Sequence, residues 1–195
     1  MLIKILTLIL IVSSPLTDKG WELVKSGEGV YIYNRKIDGT KIKEFKAEMI
    51  LDEKYFEKIY HVLQDVENYR QWMDRCVESK LIKKEENILY CYQVYSAPWP
   101  VRARDNGAKI VYNRSEDLIT VAVSNEPEIY PVQKKKHRIQ EFRARWRIEK
   151  IGNGQMKVEE IVWYDPGAIP AFIVNMATVD APYNTFTGLK KYLGV

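Results

Sequence analysis

Apolar and polar side chains alternate every second residue in segment after segment of this chain, while a helical period of three to four appears in only two places. Residues 41–51 put Phe45, Ala47, Met49 and Leu51 on one side and Glu44, Lys46 and Glu48 on the other. Residues 140–150 set Phe142, Ala144, Trp146 and Ile148 against Arg143, Arg145, Arg147 and Glu149. Both read as strands of an antiparallel sheet with one wet face. Further strands are predicted over 21–25, 30–37, 76–84, 88–95, 102–113, 118–124 and 156–164, separated by turn formers such as Asp38-Gly39 and Gly152-Asn153-Gly154. A first helix follows Asp52, a suitable N-cap, with Phe56, Ile59, Tyr60 and Leu63 in one stripe, and a looser aromatic segment, 69–73, comes after it. A second helix starts at Pro170 and runs to about Leu193, with Phe172, Met176, Val179, Tyr183, Phe186 and Leu193 on one side. It is a rod of about 35 Å that Pro182 should kink or open locally. The fold class is α+β, a curved antiparallel sheet with two helices.

Composition narrows the function more than the fold. With 195 residues and 46% hydrophobic content, the chain suits one domain with a large core. A net charge of +4 from 30 basic and 26 acidic residues is too small for a nucleic-acid binder. The dense basic run Lys134-Lys135-Lys136-His137-Arg138 is either a solvated loop or a contact for anionic lipid head groups. Residues 1–18 carry one early lysine, an apolar run from Ile5 to Val12 and the pair Ser13-Ser14, the layout of a signal peptide too short to span a bilayer. Export to a periplasm or beyond is expected, with a retained hydrophobic segment on a cytoplasmic protein as the alternative. Residues 19–195 form the domain. In a hairpin turning near Glu86-Asn87, Cys91 falls opposite about Lys83 and Cys76 lies several residues away, which predicts two unpaired, structural thiols.

No phosphate loop, nucleophile elbow or metal-ligand spacing is present, and neither His61 nor His137 sits in a ligand cluster. No catalytic residue, metal or cofactor is assigned. The stretch from Ala97 to Asp105 stands out instead. Pro98 and Pro100 hold Trp99 in an extended, stiff bend. Arg104 shares the parity of Ala108, Ile110 and Tyr112, so its guanidinium turns toward the buried face and needs a partner, while Asp105 has the opposite parity. Trp21, Trp72, Trp146 and Trp163 are expected in the core or on a cavity wall. A bent sheet closed by a long apolar-faced helix can leave a pocket between them.

Several words of this sequence, in order, resemble the StAR-related lipid-transfer (START) domain: Trp21-Glu22-Leu23, Gly29 to Tyr33, Asp65 to Trp72, Pro98-Trp99-Pro100 with Arg104-Asp105, and Ile169 to Phe172 with Asn175 and Pro182. They span almost the whole domain, although most of the family's N-terminal helix before Trp21 is missing. The resemblance implies a helix-grip fold whose sheet wraps the C-terminal helix around a tunnel for one lipid or other apolar molecule, with no covalent catalysis. It implies that Arg104 and an acid matching Glu78 face each other and hold the ligand's polar end. The candidate lining is Arg104, Glu78, Trp99, Tyr92, Trp146, Phe172, Asn175, Met176 and Val179. The expected partners are a sterol, phospholipid or similar ligand and, transiently, a membrane surface, met by a monomer. A salt bridge of Arg104 to Asp105 or Glu78 that only ties strands is the plain structural alternative. A cyclase- or hydrolase-type enzyme of the helix-grip superfamily, or a lipid sensor that transfers nothing, are the alternative functions.

Overall fold

A computed structural model describes residues 20–167 and 169–195. The segment read as a signal peptide or hydrophobic leader lies outside the described residues. In chain order the elements are β1 (Glu22–Gly27), β2 (Val30–Arg35), β3 (Glu44–Asp52), α1 (Phe56–Gln64), β4 (Cys76–Glu85), β5 (Ile88–Tyr95), β6 (Arg104–Arg114), β7 (Leu118–Asn125), β8 (His137–Arg138), β9 (Glu141–Gly152), β10 (Gln155–Asp165) and α2 (Ala171–Leu193). Short 3-10 turns at Glu53–Tyr55 and Val66–Gln71 flank α1, and the Asp52 carboxylate caps the first of them by accepting from the Lys54 amide. The strands make one sheet in the order β1-β2-β3-β10-β9-β7-β6-β5-β4, and β8 pairs with β6 off that path. The pairs are antiparallel apart from β6 with β8. At the β9–β10 hairpin Asn153 and Gly154 have φ of 54° and 70°, the left-handed conformations of a tight turn that favour this dipeptide.

One face of the sheet carries the core. Val30, Ile32, Ala47, Met49, Ile110, Tyr112, Ile148 and Val158 are buried there under α1, the 66–72 turns and the C-terminal half of α2, which contributes Phe186, Leu189 and Leu193. Trp146 and Phe186 stack at 5.5 Å, with their rings 6° from parallel. Gly188 lies so close to the Trp72 carbonyl that a Cβ would overlap it, so the helix can seat against this turn only at a residue without a side chain. The helix runs unbroken through Pro182, where the sequence suggested an interruption. It begins at Ala171, with Pro170 at the cap rather than in the first turn.

The wet face expected of residues 41–51 is wet only toward its end, where Glu48 is half-buried and Ile50 exposed. Glu44 and Lys46 are buried: Glu44 is held by Arg35 and faces Arg143, and Lys46 lies among Trp21, Tyr33 and Glu48. Trp21 therefore covers the opposite face from the main core. Trp163, out of phase with Val162 and Tyr164, also leaves the cavity and packs with Ile42 and Val174. Both cysteines are free and buried, and burial pushes the thiols up to about 11 for Cys76 and about 12 for Cys91. A bulge between Leu81 and Lys83 sets Cys91 opposite Leu81 rather than Lys83.

The basic run folds back onto β6 instead of forming a solvated loop throughout. Arg138 donates from Nε and Nη2 to Asp105 at 3.1 and 3.0 Å, and its Nη1 and Nη2 also donate to the carbonyls of Pro127, Tyr130 and Pro131. Tyr92 donates to the same carboxylate at 3.0 Å and stacks on Tyr130 at 3.9 Å. Arg138 and Asp105 are both buried, and the fork geometry uses nearly every guanidinium donor. Removing one member leaves the other charge buried without compensation, which costs far more than the pair contributes. Asp105→Asn is expected to lower unfolding free energy by about 3 kcal/mol, read as a lower urea midpoint at unchanged slope.

Candidate functional site

The C-terminal half of α2 fills the sheet with large side chains, but its N-terminal half does not. Ile173, Ala177, Ala181 and Thr185, one stripe at i, i+4 spacing, face a cavity of about 260 Å³. The opposite wall comes from Phe45 on β3, Phe142 on β9, and Glu160, Val162 and Tyr164 on β10. The third side is Tyr95 at the end of β5, Ala97, Pro98 and Val101 of the loop that follows, and Arg104 at the start of β6. A smaller chamber of about 40 Å³ lies inward, and Met73, Tyr95, Phe142 and Glu160 line both spaces. Most of this surface is apolar, and the exceptions are placed at particular points.

Arg104 lines the cavity. Its guanidinium donates to the Arg102 carbonyl; among the described residues its buried Nε has no partner and it makes no ion pair. Burial lowers its pKa from the ordinary guanidinium value, with the nearby Tyr164 phenol acting the other way, yet an arginine stays charged. Tyr164 is raised by burial and drawn back by Arg75 and Arg104, so both cations stand near that ring. Arg75 lines the same cavity and lies 3.5 Å from Asp74.

Two acids line this cavity, Asp74, which pairs with Arg75, and Glu160 on β10. Glu160 is 7% exposed, and burial pushes its carboxyl up to about 8 with no neighbouring charge contributing. Such a group is protonated through the neutral range and can donate a hydrogen bond. The sequence contained the signal: Met156, Val158, Glu160, Val162 and Tyr164 share one parity, so an inward strand face carries a carboxylate. Glu78, the acid predicted to meet Arg104, does not line the cavity. It sits in a bulged stretch of β4, pairs with Lys80 at 2.6 Å and Lys136 at 3.3 Å, and these partners hold its carboxyl below the usual range. Asp105 is also taken, by Arg138 on the other face.

The remaining predicted residues divide. Trp146 lines the inner chamber. Tyr92 faces away from the cavity, because its neighbours Cys91 and Gln93 hold the inward parity. Trp99 is 93% exposed and points to solvent, although Pro98 and Val101 beside it reach the cavity. Phe172 and Met176 are 68% and 70% exposed and lie off the lining face of α2, as does half-buried Val179. Asn175 bridges α2 to the chain before β3, accepting from the Lys43 amide at 2.9 Å and donating to the Lys41 carbonyl at 3.0 Å. The largest apolar residues suggested one helix face; the structure turns inward the stripe with small side chains, since only that stripe leaves room.

Residues 55–180 match the family described as polyketide cyclase/dehydrase and lipid transport. The chain belongs to that family. It is 32% identical to a STAR-related lipid transfer protein of Xanthomonas axonopodis, whose structure it matches with a TM-score of 0.83 over 90% of this chain and 99% of that one. An uncharacterized protein of Pseudomonas aeruginosa is 30% identical over 173 residues, 87% of this chain and 85% of that protein. The phosphatidylcholine transfer protein of Mus musculus is 21% identical over 182 residues, 90% of this chain and 85% of that protein. The START resemblance and the helix-grip fold thus hold for this member of the family.

Because Glu160 binds its proton more tightly folded than unfolded, the folded state carries the extra proton between about pH 4.5 and pH 8. Stability contributed by the neutral acid is complete below about pH 4.5 and declines as pH rises through that window. In Glu160→Gln this loss should disappear. Urea unfolding at pH 5 and pH 9 is expected to show wild type weakening by several kcal/mol more than the variant, since each tenfold gain in proton affinity on folding is worth about 1.4 kcal/mol.

Proposed function

We propose that this START domain binds a single lipid or similar apolar molecule in the cavity and moves it between membranes. The observation that carries the reading is the cavity itself, walled by apolar side chains between α2 and the sheet and holding on one side Arg104, a guanidinium with no counter-ion among the described residues. Transferring an acyl or ring system from water into such walls is worth about 0.8 kcal/mol per CH₂. Arg104, with Arg75 beside it, suits a polar or anionic group on that ligand. The names of the Xanthomonas and mouse relatives support the same reading.

Exchange requires an opening. Pro98 of the stiff loop and Ile173 and Ala177 of α2 line the same cavity, so separation of loop and helix would open it. Outside the cavity, exposed Trp99, Phe172 and Met176 are apolar groups available to a membrane surface. A second reading rests on one observation: Glu160, held near neutrality, shares the cavity with Tyr95 and Tyr164, an arrangement that could serve acid–base chemistry of the cyclase type.

Native mass spectrometry of purified protein followed by lipid extraction is expected to show one ligand per chain; protein that stays empty in a lipid-rich host sinks the proposal. Trp99→Ala should slow transfer between vesicles about tenfold while equilibrium binding changes little. Equal slowing and weakening would place Trp99 in binding rather than exchange. Arg104→Leu should strip lipids with anionic head groups from the extracted set, and an unchanged set would assign Arg104 to strand packing alone.

A further inference from the structure

The cavity is short, and what stops it is a set of interlocked rings. Beyond the neck, where Met73, Tyr95 and Phe142 line both spaces, the inner chamber ends against Tyr69, Trp72 and Trp146. Trp146 of β9 stacks on Phe186 of α2, Trp72 meets Trp146 edge-on at 6.2 Å, and Tyr69 meets Trp72 at 5.1 Å. All four rings are buried, and the Tyr69 hydroxyl donates to the Leu63 carbonyl near the end of α1. Gly188 seats α2 against the Trp72 carbonyl, so helix, sheet and turns are fixed to one another at this plug. Forcing one more methylene into such a packed interior costs more than its transfer from water returns, so a ligand does not lengthen the cavity by pushing these rings aside.

The space in front of the plug is about 260 Å³, with about 40 Å³ more beyond the neck. An apolar cavity of about 150 Å³ accepts benzene, so a carbon needs about 25 Å³ and the two spaces hold about twelve carbons. One chain of a bilayer lipid reaches half-way across a hydrocarbon core of about 30 Å, a length that about twelve carbons cover, and two such chains need twice the room. We propose that the plug of Tyr69, Trp72, Trp146 and Phe186 sets an upper limit on the ligand, so that this chain takes a single-chain amphiphile and does not enclose a two-chain phospholipid. Arg104, with no counter-ion among the described residues, suits a carboxylate on that chain, so a fatty acid fits the space and the charge together. This limit rests on the cavity being a ligand site.

Titration calorimetry of the full chain with saturated fatty acids from octanoic to octadecanoic, each below its micelle threshold, reads the limit. Affinity is expected to rise about fourfold per added CH₂ up to about dodecanoic acid and then to level off, because further carbons stay in water. Trp146→Ala, which removes a ring of the plug, should move the break to longer chains, and Trp146→Leu should move it less. The wild-type series tests the limit even where a variant does not fold. Affinity that climbs unbroken to octadecanoic acid, a break unmoved in a folded Trp146 variant, or one phosphatidylcholine held per wild-type chain after incubation with phosphatidylcholine vesicles overturns the limit and leaves the cavity reading standing. If no acid of the series binds, the limit falls, and protein that is also empty after lipid extraction takes the cavity reading with it.

Discussion

A single helix cannot cover the inner face of a nine-strand-wide sheet, and that geometric shortfall governs everything else in this molecule. Nine strands side by side span about 40 Å, whereas a helix with its side chains is about 10 Å across. Here α1 and the turns around Val66–Gln71 roof one end, and α2 roofs the rest. Where α2 presents Phe186, Leu189 and Leu193 the gap closes into ordinary core; where it presents Ala177, Ala181 and Thr185 the gap stays open. The cavity is therefore written in side-chain size along one helix rather than in a dedicated element, and Gly188 sets how closely that helix can approach.

Keeping such a cavity polar at only a few points requires that other charges be dealt with elsewhere. The adjacent residues Arg104 and Asp105 show how a strand does this. Period-two alternation sends one to each face. Asp105 is consumed on the far side by Arg138, which ties the 126–138 segment down and takes Tyr92 with it, while Arg104 is left in the cavity with no counter-ion among the described residues. A half-buried guanidinium with no counter-ion among the described residues and a buried neutral acid are both costly to a protein that only has to fold. Their placement on different walls of one cavity, with no mutual ion pair among the described residues, gives the cavity two different polar points.

The alternation of the chain determined the strands, their pairing as an antiparallel sheet, the two helices and the inward parity of Arg104, because period two and period 3.6 are local consequences of backbone geometry. The same rule made Glu160 legible, since one carboxylate interrupts the inward row from Met156 to Tyr164. The sequence by itself could not decide which acid would share the cavity with Arg104: Glu78 and Glu160 both lie on strands, and a bulge in β4 together with Lys80 and Lys136 removes Glu78 from contention. Nor could it decide which stripe of α2 turns inward. Hydrophobicity alone favoured Phe172, Met176 and Val179, but the closeness of the helix at Gly188 and the bonds from Asn175 to the chain before β3 set its rotation, and the small-residue stripe faces the sheet. Local periodicity names the faces of each element; only the packing of element on element decides which face is covered and how much space is left beneath it.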